Sequence, residues 1–220
     1  YKSKEILGFT HTHLSGTGIG DLNDIMIVPA TGKVQLQQAE FNKMNTGYGS
    51  SFKKENEIAQ PGFYSVLLDD YQVQANLTAT ERVGYHQYVY NKSDNAHLFI
   101  DLSFRMNWDK TTDSYIKQIN DSTFVGYRFS SGWASDQKVY FALKTSVPIQ
   151  KVQFYDDKDQ KFGTSTVKGQ AIKAALFFDA IKNKTIEIKV GISAVSTTNA
   201  VENIQVETPT WDFAQVKKQA

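Results

Sequence analysis

Apolar and polar positions alternate with a period of two along much of the chain. In HLFIDLSF, residues Leu98, Ile100, Leu102 and Phe104 fall on one side, with His97, Asp101 and Ser103 opposite. TIEIKVGI repeats the pattern with Ile186, Ile188, Val190 and Ile192. Successive side chains of a strand point to opposite faces, so each segment reads as a strand with one dry face. The same holds for YQVQANLTAT (Val73, Ala75, Leu77, Ala79), KVYFALKT (Val139, Phe141, Leu143) and QKVQFYDD (Val152, Phe154). YSVLLDD, RVGYHQYVY and STFVGYRF read as strands as well. Turn formers separate them: Pro61-Gly62, Asn91 to Asn95, the acids from Asp156 to Asp159, and Asn183. Many short strands with closely spaced turns predict an all-β protein, an antiparallel β-sandwich.

Two segments need separate readings. QAIKAALFFDAIK, residues 170 to 182, fits both periods and is read as a strand leading into a turn. In PTWDFAQVKKQA, Asp212 caps a short C-terminal helix with Gln215 as its reciprocal partner, and Trp211 and Val216 form a hydrophobic staple. That helix runs for at most about two and a half turns, marginal on its own. It therefore reads as cut off, and the start at Tyr1 reads as that of a trimmed product.

Composition narrows the class. The 220 residues are 40% hydrophobic and 13% aromatic, enough for one substantial core of the kind pleated sheets build. A formal net charge of +1 supplies no field for gathering phosphates, which argues against nucleic acid as a partner. There is no cysteine, so the redox compartment stays open. No apolar run reaches the length of a membrane-spanning helix.

The candidate chemistry begins at GFTHTHLSGTGIGD, residues 8 to 21. On an extended backbone His11 and His13 project from one side, a geometry that can chelate a metal. Zinc needs a third and usually a fourth ligand, and only His86 and His97 remain, so scaffold histidines are the favoured reading. GTGIGD matches neither a dinucleotide fingerprint nor a Walker A loop; Gly16, Gly18 and Gly20 suit a loop with positive φ or close backbone approach. Asp21 and Asp24 are then ligand-facing acids or turn and cap residues. Asp69-Asp70 and Asp156-Asp157 point to opposite strand faces and cannot flank one glycosidic bond without a bulge. Asp157-Lys158-Asp159 lacks the glycine and terminal glutamate of a calcium loop and reads as a hairpin tip. Of the three tryptophans, Trp133, in the glycine-bearing turn SSGWASDQ, is the one placed for display to a sugar.

Three stretches, GFTHTHLSGTGIGDLNDIMIVP (8 to 29), ENEIAQPGFYSVLLDDYQVQANLTATERVGYHQY (55 to 88) and GYRFSSGWASDQKVYFALKTSVP (126 to 148), resemble the N-terminal domain of glycoside hydrolase family 92, the calcium-dependent exo-acting α-mannosidases. The resemblance implies a β-sandwich of the galactose-mutarotase-like supersandwich type over residues 1–208. Residues 209–220 would begin the linker helix to an (α/α)6 catalytic domain not in this chain. It further implies inverting hydrolysis of terminal α-mannosides, with the glutamic general acid, the aspartic general base and most ligands of Ca²⁺ on that second domain, so this chain carries no catalytic residue and no metal site of its own. His11, His13, Asp21 and Trp133 are the implied sugar-contacting residues. The partners implied are α-mannosides and the (α/α)6 domain, and the compartment is periplasmic or cell-surface, reached by export. The family has residues before the GFTHTHLSG equivalent, so the sandwich is expected to lack its first strand and to self-associate through the open edge or the docking face. Lys54 stands where family members commonly carry histidine. A stand-alone carbohydrate-binding sandwich is the alternative, and an adhesion or assembly domain without a ligand pocket a third.

Overall fold

The computed structural model describes residues 4–14, 22–40, 43–106 and 108–220. In chain order the first strands are β1 (Glu5–Ile6), β2 (Met26–Ala30), β3 (Ser50–Ser51), β4 (Glu57–Gln60), β5 (Phe63–Leu68), β6 (Val73–Ala79), β7 (Val83–Tyr90) and β8 (His97–Asp101). They are followed by β9 (Lys110–Asn120), β10 (Thr123–Ser131), β11 (Gln137–Thr145), β12 (Lys151–Asp156), β13 (Asp159–Lys161), β14 (Thr166–Gly169), β15 (Ile172–Phe177) and β16 (Thr185–Ser193). Two helices close the chain, α1 (Thr197–Glu207) and α2 (Phe213–Gln219).

Two antiparallel sheets form the predicted sandwich. The larger has nine strands in the order β14-β9-β10-β11-β16-β7-β6-β5-β4, and the smaller five in the order β13-β12-β15-β8-β2. Their facing sides supply one core, in which Ile116, Phe124, Phe141 and Ile188 of the large sheet meet Ile27, Leu98, Phe154 and Leu176 of the small one. The segment 170 to 182 forms β15 and a turn, as its pattern suggests. Asp156 pairs with Asp159 across a hairpin whose tip carries Asp157 at φ 53°, a left-handed position suited to aspartate.

The expectation of one dry face fails for β8, where all five residues are buried. The second face is covered by the 44–52 segment: Tyr48 packs on Phe99 with ring centroids 5.1 Å apart. Its hydroxyl donates to Asp101 Oδ2 at 2.8 Å. Asp101 is a satisfied interior acid, whose other oxygen accepts from the Ser103 amide and hydroxyl.

The first α-helix begins at Thr197, within the 1–208 span assigned to the sandwich domain. Helix α1 is capped by Ser196, whose side chain accepts from the Asn199 amide. It buries Ala200 and Ile204 against Val83 and Ala142 on the outer face of the large sheet. Contact is close because β16 offers Gly191: a Cβ there would lie 2.3 Å from the Ala200 carbonyl oxygen. Asp212 caps α2 as expected, accepting from the Gln215 amide at 2.9 Å. Phe213 and Val216 bury against Tyr85. The α1–α2 connection is held by Lys189, whose Nζ donates to the Thr208 and Thr210 carbonyls at 2.7 Å each while sitting 4.1 Å from the Trp211 ring.

The tight seat of α1 yields a prediction. Gly191→Ala forces the helix off the sheet, an overpacking that costs about 1–3 kcal/mol. Urea unfolding compared with the unsubstituted chain measures it, and an unchanged midpoint contradicts the packing described.

Candidate functional site

One end of the large sheet gathers the loops. The β6–β7 turn at residues 80–82, the β10–β11 turn at 131–136, the segment 102–109 and the stem of the glycine-rich stretch all lie there, the last two tied together by Arg128. This side chain is 1% exposed on the core face of β10. Its Nε donates to the Leu102 carbonyl and to Thr111 Oγ1, Nη1 to Asp24 Oδ1 at 2.5 Å, and Nη2 to Asp109 Oδ2 at 2.6 Å and the Phe104 carbonyl. Burial works against the charge, but the two carboxylates outweigh it and hold the guanidinium above its ordinary range. Asp24 in turn accepts from the Thr12 hydroxyl at 2.7 Å.

Around Asp24 the backbone is strained. Leu22, Asn23 and Ile25 take φ of 71°, 56° and 55°. For a β-branched residue such as Ile25 a left-handed φ is a true outlier, kept only where surrounding contacts over-determine it. Those contacts are the Arg128–Asp24 pair and the His11 amide, which donates to the Asp24 carbonyl.

His11 completes the stem. Its Nδ1 lies 2.7 Å from the Ile25 carbonyl and its Nε2 2.8 Å from His86 Nε2, while His86 Nδ1 lies 2.6 Å from the Tyr88 hydroxyl. A carbonyl only accepts, and with both buried rings neutral this sets every hydrogen in the row. His11 Nδ1 donates to Ile25, His86 Nε2 donates to His11, and the Tyr88 hydroxyl donates to His86. Both rings are neutral in this arrangement, in keeping with their burial. Desolvation, against the donation to Ile25, brings His11 down to about 4, and desolvation followed by the presence of His11 pushes His86 well below 6.5. Gly84 makes room for the pair, since a Cβ there would stand 2.7 Å from His11 Cδ2.

The row backs onto a cleft of about 600 Å³. Its walls include Phe9, Phe63, Tyr64 and Leu77, and its mouth carries Glu81 and Arg82 from the β6–β7 turn. Among the predicted sugar-contacting residues, His11 lines this cleft with both ring nitrogens engaged internally. His13 is exposed and pairs by backbone with Leu22, so the two histidines do not act as a chelating pair. Trp133 stands 70% exposed on the β10–β11 turn, outside the cleft lining. Asp21 and the three loop glycines lie outside the described residues. Lys54 is exposed on a 3-10 turn before β4. Among the described residues no three His, Asp or Glu side chains are gathered to hold an ion. Pattern reasoning passed over Arg128 and Arg82 and weighed His86 only as a spare metal ligand, because lone polar residues in a strand or turn give no sign of what they meet across the fold.

The domain so built is a known one. The glycosyl hydrolase family 92 N-terminal domain matches residues 1–193. The chain belongs to glycosyl hydrolase family 92. A solved family 92 α-mannosidase of Bacteroides thetaiotaomicron, BT3965, is 33% identical with a TM-score of 0.92, covering 100% of this chain and 30% of that one. It has also been solved in complex with mannoimidazole. The family 92 hydrolase ccman5, 24% identical with a TM-score of 0.86 over 100% of this chain and 30% of its own, shares the fold. So does the inverting mannosidase BT2199 of Bacteroides thetaiotaomicron VPI-5482, 21% identical with a TM-score of 0.80 over 100% of this chain and 28% of its own. This chain therefore spans less than a third of these family 92 structures. No curated protein sequence is a significant match.

The neutral histidine row sets a pH dependence. The unfolded chain binds protons that the folded row refuses between pH about 6.5 and about 4, so stability falls as pH is lowered through that window. For His11 alone the loss from pH 7.5 to pH 5 is about 2 kcal/mol. Urea unfolding at the two pH values measures it, and the drop shrinks by that amount in His11→Gln. An equal drop in both proteins contradicts the neutral row.

Proposed function

We propose that this chain is the N-terminal β-sandwich of an exo-acting, inverting α-mannosidase and forms one wall of its mannose-binding cleft. The observation that carries this reading is the full-length superposition, at 33% identity, on an α-mannosidase that also binds mannoimidazole. The cleft beside the histidine row supports it: apolar ring faces suit the C–H faces of a pyranose, and the polar groups sit at the mouth. The general acid and base belong to an (α/α)6 domain that docks on this one, since inversion needs two carboxyl groups about 6.5–9.5 Å apart across the scissile bond. Ca²⁺ belongs to the same proposal, with most of its ligands on that second domain, and rests on the family resemblance alone. Export to the periplasm or cell surface belongs to the same proposal, resting on the family resemblance alone. Self-association is proposed through the β4 edge, where Ile58 is 48% exposed.

The test is direct. The purified chain is expected to leave an α-mannobioside intact and to bind methyl α-mannoside more weakly than about 1 mM, as one wall of a two-part pocket would. Hydrolysis by the chain alone contradicts the proposal. Calorimetric binding tighter than that limit favours the stand-alone carbohydrate-binding module.

A further inference from the structure

The cleft holds one guanidinium whose orientation is fixed before any ligand arrives. The Arg82 amide donates to Glu207 Oε2 at 3.0 Å and Nε donates to Glu207 Oε1 at 2.6 Å. The Arg82 carbonyl accepts from the Ile192 amide at 3.0 Å. Glu207 is steadied from the other side by the Thr80 hydroxyl, and its side chain is only 11% exposed at the C-terminal end of α1. Burial opposes its charge, but the bonds from Thr80 and Arg82 hold the carboxyl below its ordinary range. The Arg82 side chain is 53% exposed and lines both the main cleft and a neighbouring one of about 410 Å³ beside the start of α1.

What remains free on Arg82 defines the ligand. Among the described residues neither Nη makes a hydrogen bond; besides Glu207, the acid beside the fork is Glu81, with Oε2 3.8 Å from Nη2. The two N–H donors of the end-on fork, one on each Nη, therefore point away from the anchoring carboxylate, beside an exposed acceptor on Glu81. A bare fork of this kind suits a phosphate or carboxylate as well as a pair of hydroxyls, so the surrounding charge has to decide. Among the described residues Arg82 is the one Lys or Arg in the cleft lining and Glu81 the one acid; just behind the walls Glu207 sits against Arg82, and Lys217 Nζ lies 3.5 Å from the Phe63 ring centre. The histidines nearby are neutral. An anion would meet no net positive charge to draw it in, while a hydroxyl pair, which both donates and accepts, can use the guanidinium and the Glu81 carboxylate together.

We infer that Arg82, held by Glu207 and flanked by Glu81, is a sugar-binding residue of this cleft that grips two neighbouring hydroxyl groups of a neutral pyranose. The inference rests on the mannose-wall reading and adds to it the groups that recognise the sugar's hydroxyl edge. Rigid mounting matters here, because a donor already in place spends no conformational entropy on binding.

Amide NMR titration of the chain with methyl α-mannoside tests it, in the unsubstituted protein, Arg82→Met, Arg82→Lys and Glu207→Gln. Methionine keeps the apolar stem, lysine keeps charge without the fork, and Glu207→Gln leaves the fork but loosens its anchor. The expected result is shift changes at residues 80–84 in the parent. The apparent Kd should rise about 10-fold or more in Arg82→Met, with smaller rises in Arg82→Lys and Glu207→Gln. Dispersed spectra in every variant exclude loss of fold as the cause. Binding in the parent with an unchanged Kd in Arg82→Met overturns this inference and leaves the wall reading standing. No shift change in the parent overturns both. Inorganic phosphate perturbing Arg82 at lower concentration than the mannoside overturns the choice of a neutral diol.

Discussion

A single buried guanidinium holds the business end of this domain together. Arg128 is bordered by two segments outside the sheet ladders, the stem at Leu22 to Ile25 and the stretch 102–109, and by the Thr111 hydroxyl of β9. Both segments need hydrogen-bond partners for backbone groups that no strand satisfies, and a planar fork of five donors reaches several of them from one point. Asp24 and Asp109 bring two carboxylates to one cation, all three side chains being 1% exposed or less. A buried cluster of this kind adds little net stability over a well-packed apolar substitute, yet removing one member leaves the others uncompensated, at a cost of about 3–5 kcal/mol. Its value here is positional. It fixes the strained stem from which His11 reaches the cleft.

The cleft follows from that constraint. Once the stem is fixed, His11 meets His86 through the gap left by Gly84, and the tautomers follow from the neutrality of both buried rings and a carbonyl at the end of the row. With the imidazole nitrogens occupied, the open polar chemistry passes to the β6–β7 turn, where helix α1 supplies Glu207 to orient Arg82. Helix α1 is thus part of the site as well as a cover for the sheet. Gly191 is the residue that lets it come close enough.

Much of the sandwich could be read from alternation alone, because strands such as β6, β7 and β16 each have one side in the core. Several short strands escaped that reading, and two longer elements did so for identifiable physical reasons. Strand β9, KTTDSYIKQIN, buries only Ser114 and Ile116 fully and presents a wet outer face, so its pattern resembles a loop. Helix α1, TTNAVENIQVE, fully buries two residues, leaving almost no apolar stripe to detect. In β8 the alternation was present but misjudged, since a long-range cover through Tyr48 makes the polar side interior. The two histidines of HTH looked like a pair because they are neighbours in sequence. Their true partners, His86 for His11 and Leu22 for His13, lie across the fold or across the loop, where spacing carries no information.

Amide hydrogen exchange in Arg128→Lys, which keeps the buried charge but loses the fork, tests the central claim most directly. The account predicts that protection falls by at least about tenfold at the His11, Asn23 and Asp24 amides, whose acceptors lie within the stem, while the amides of β7 and β16 exchange as before. Unchanged protection in the stem, or an equal loss through both sheets, would contradict it.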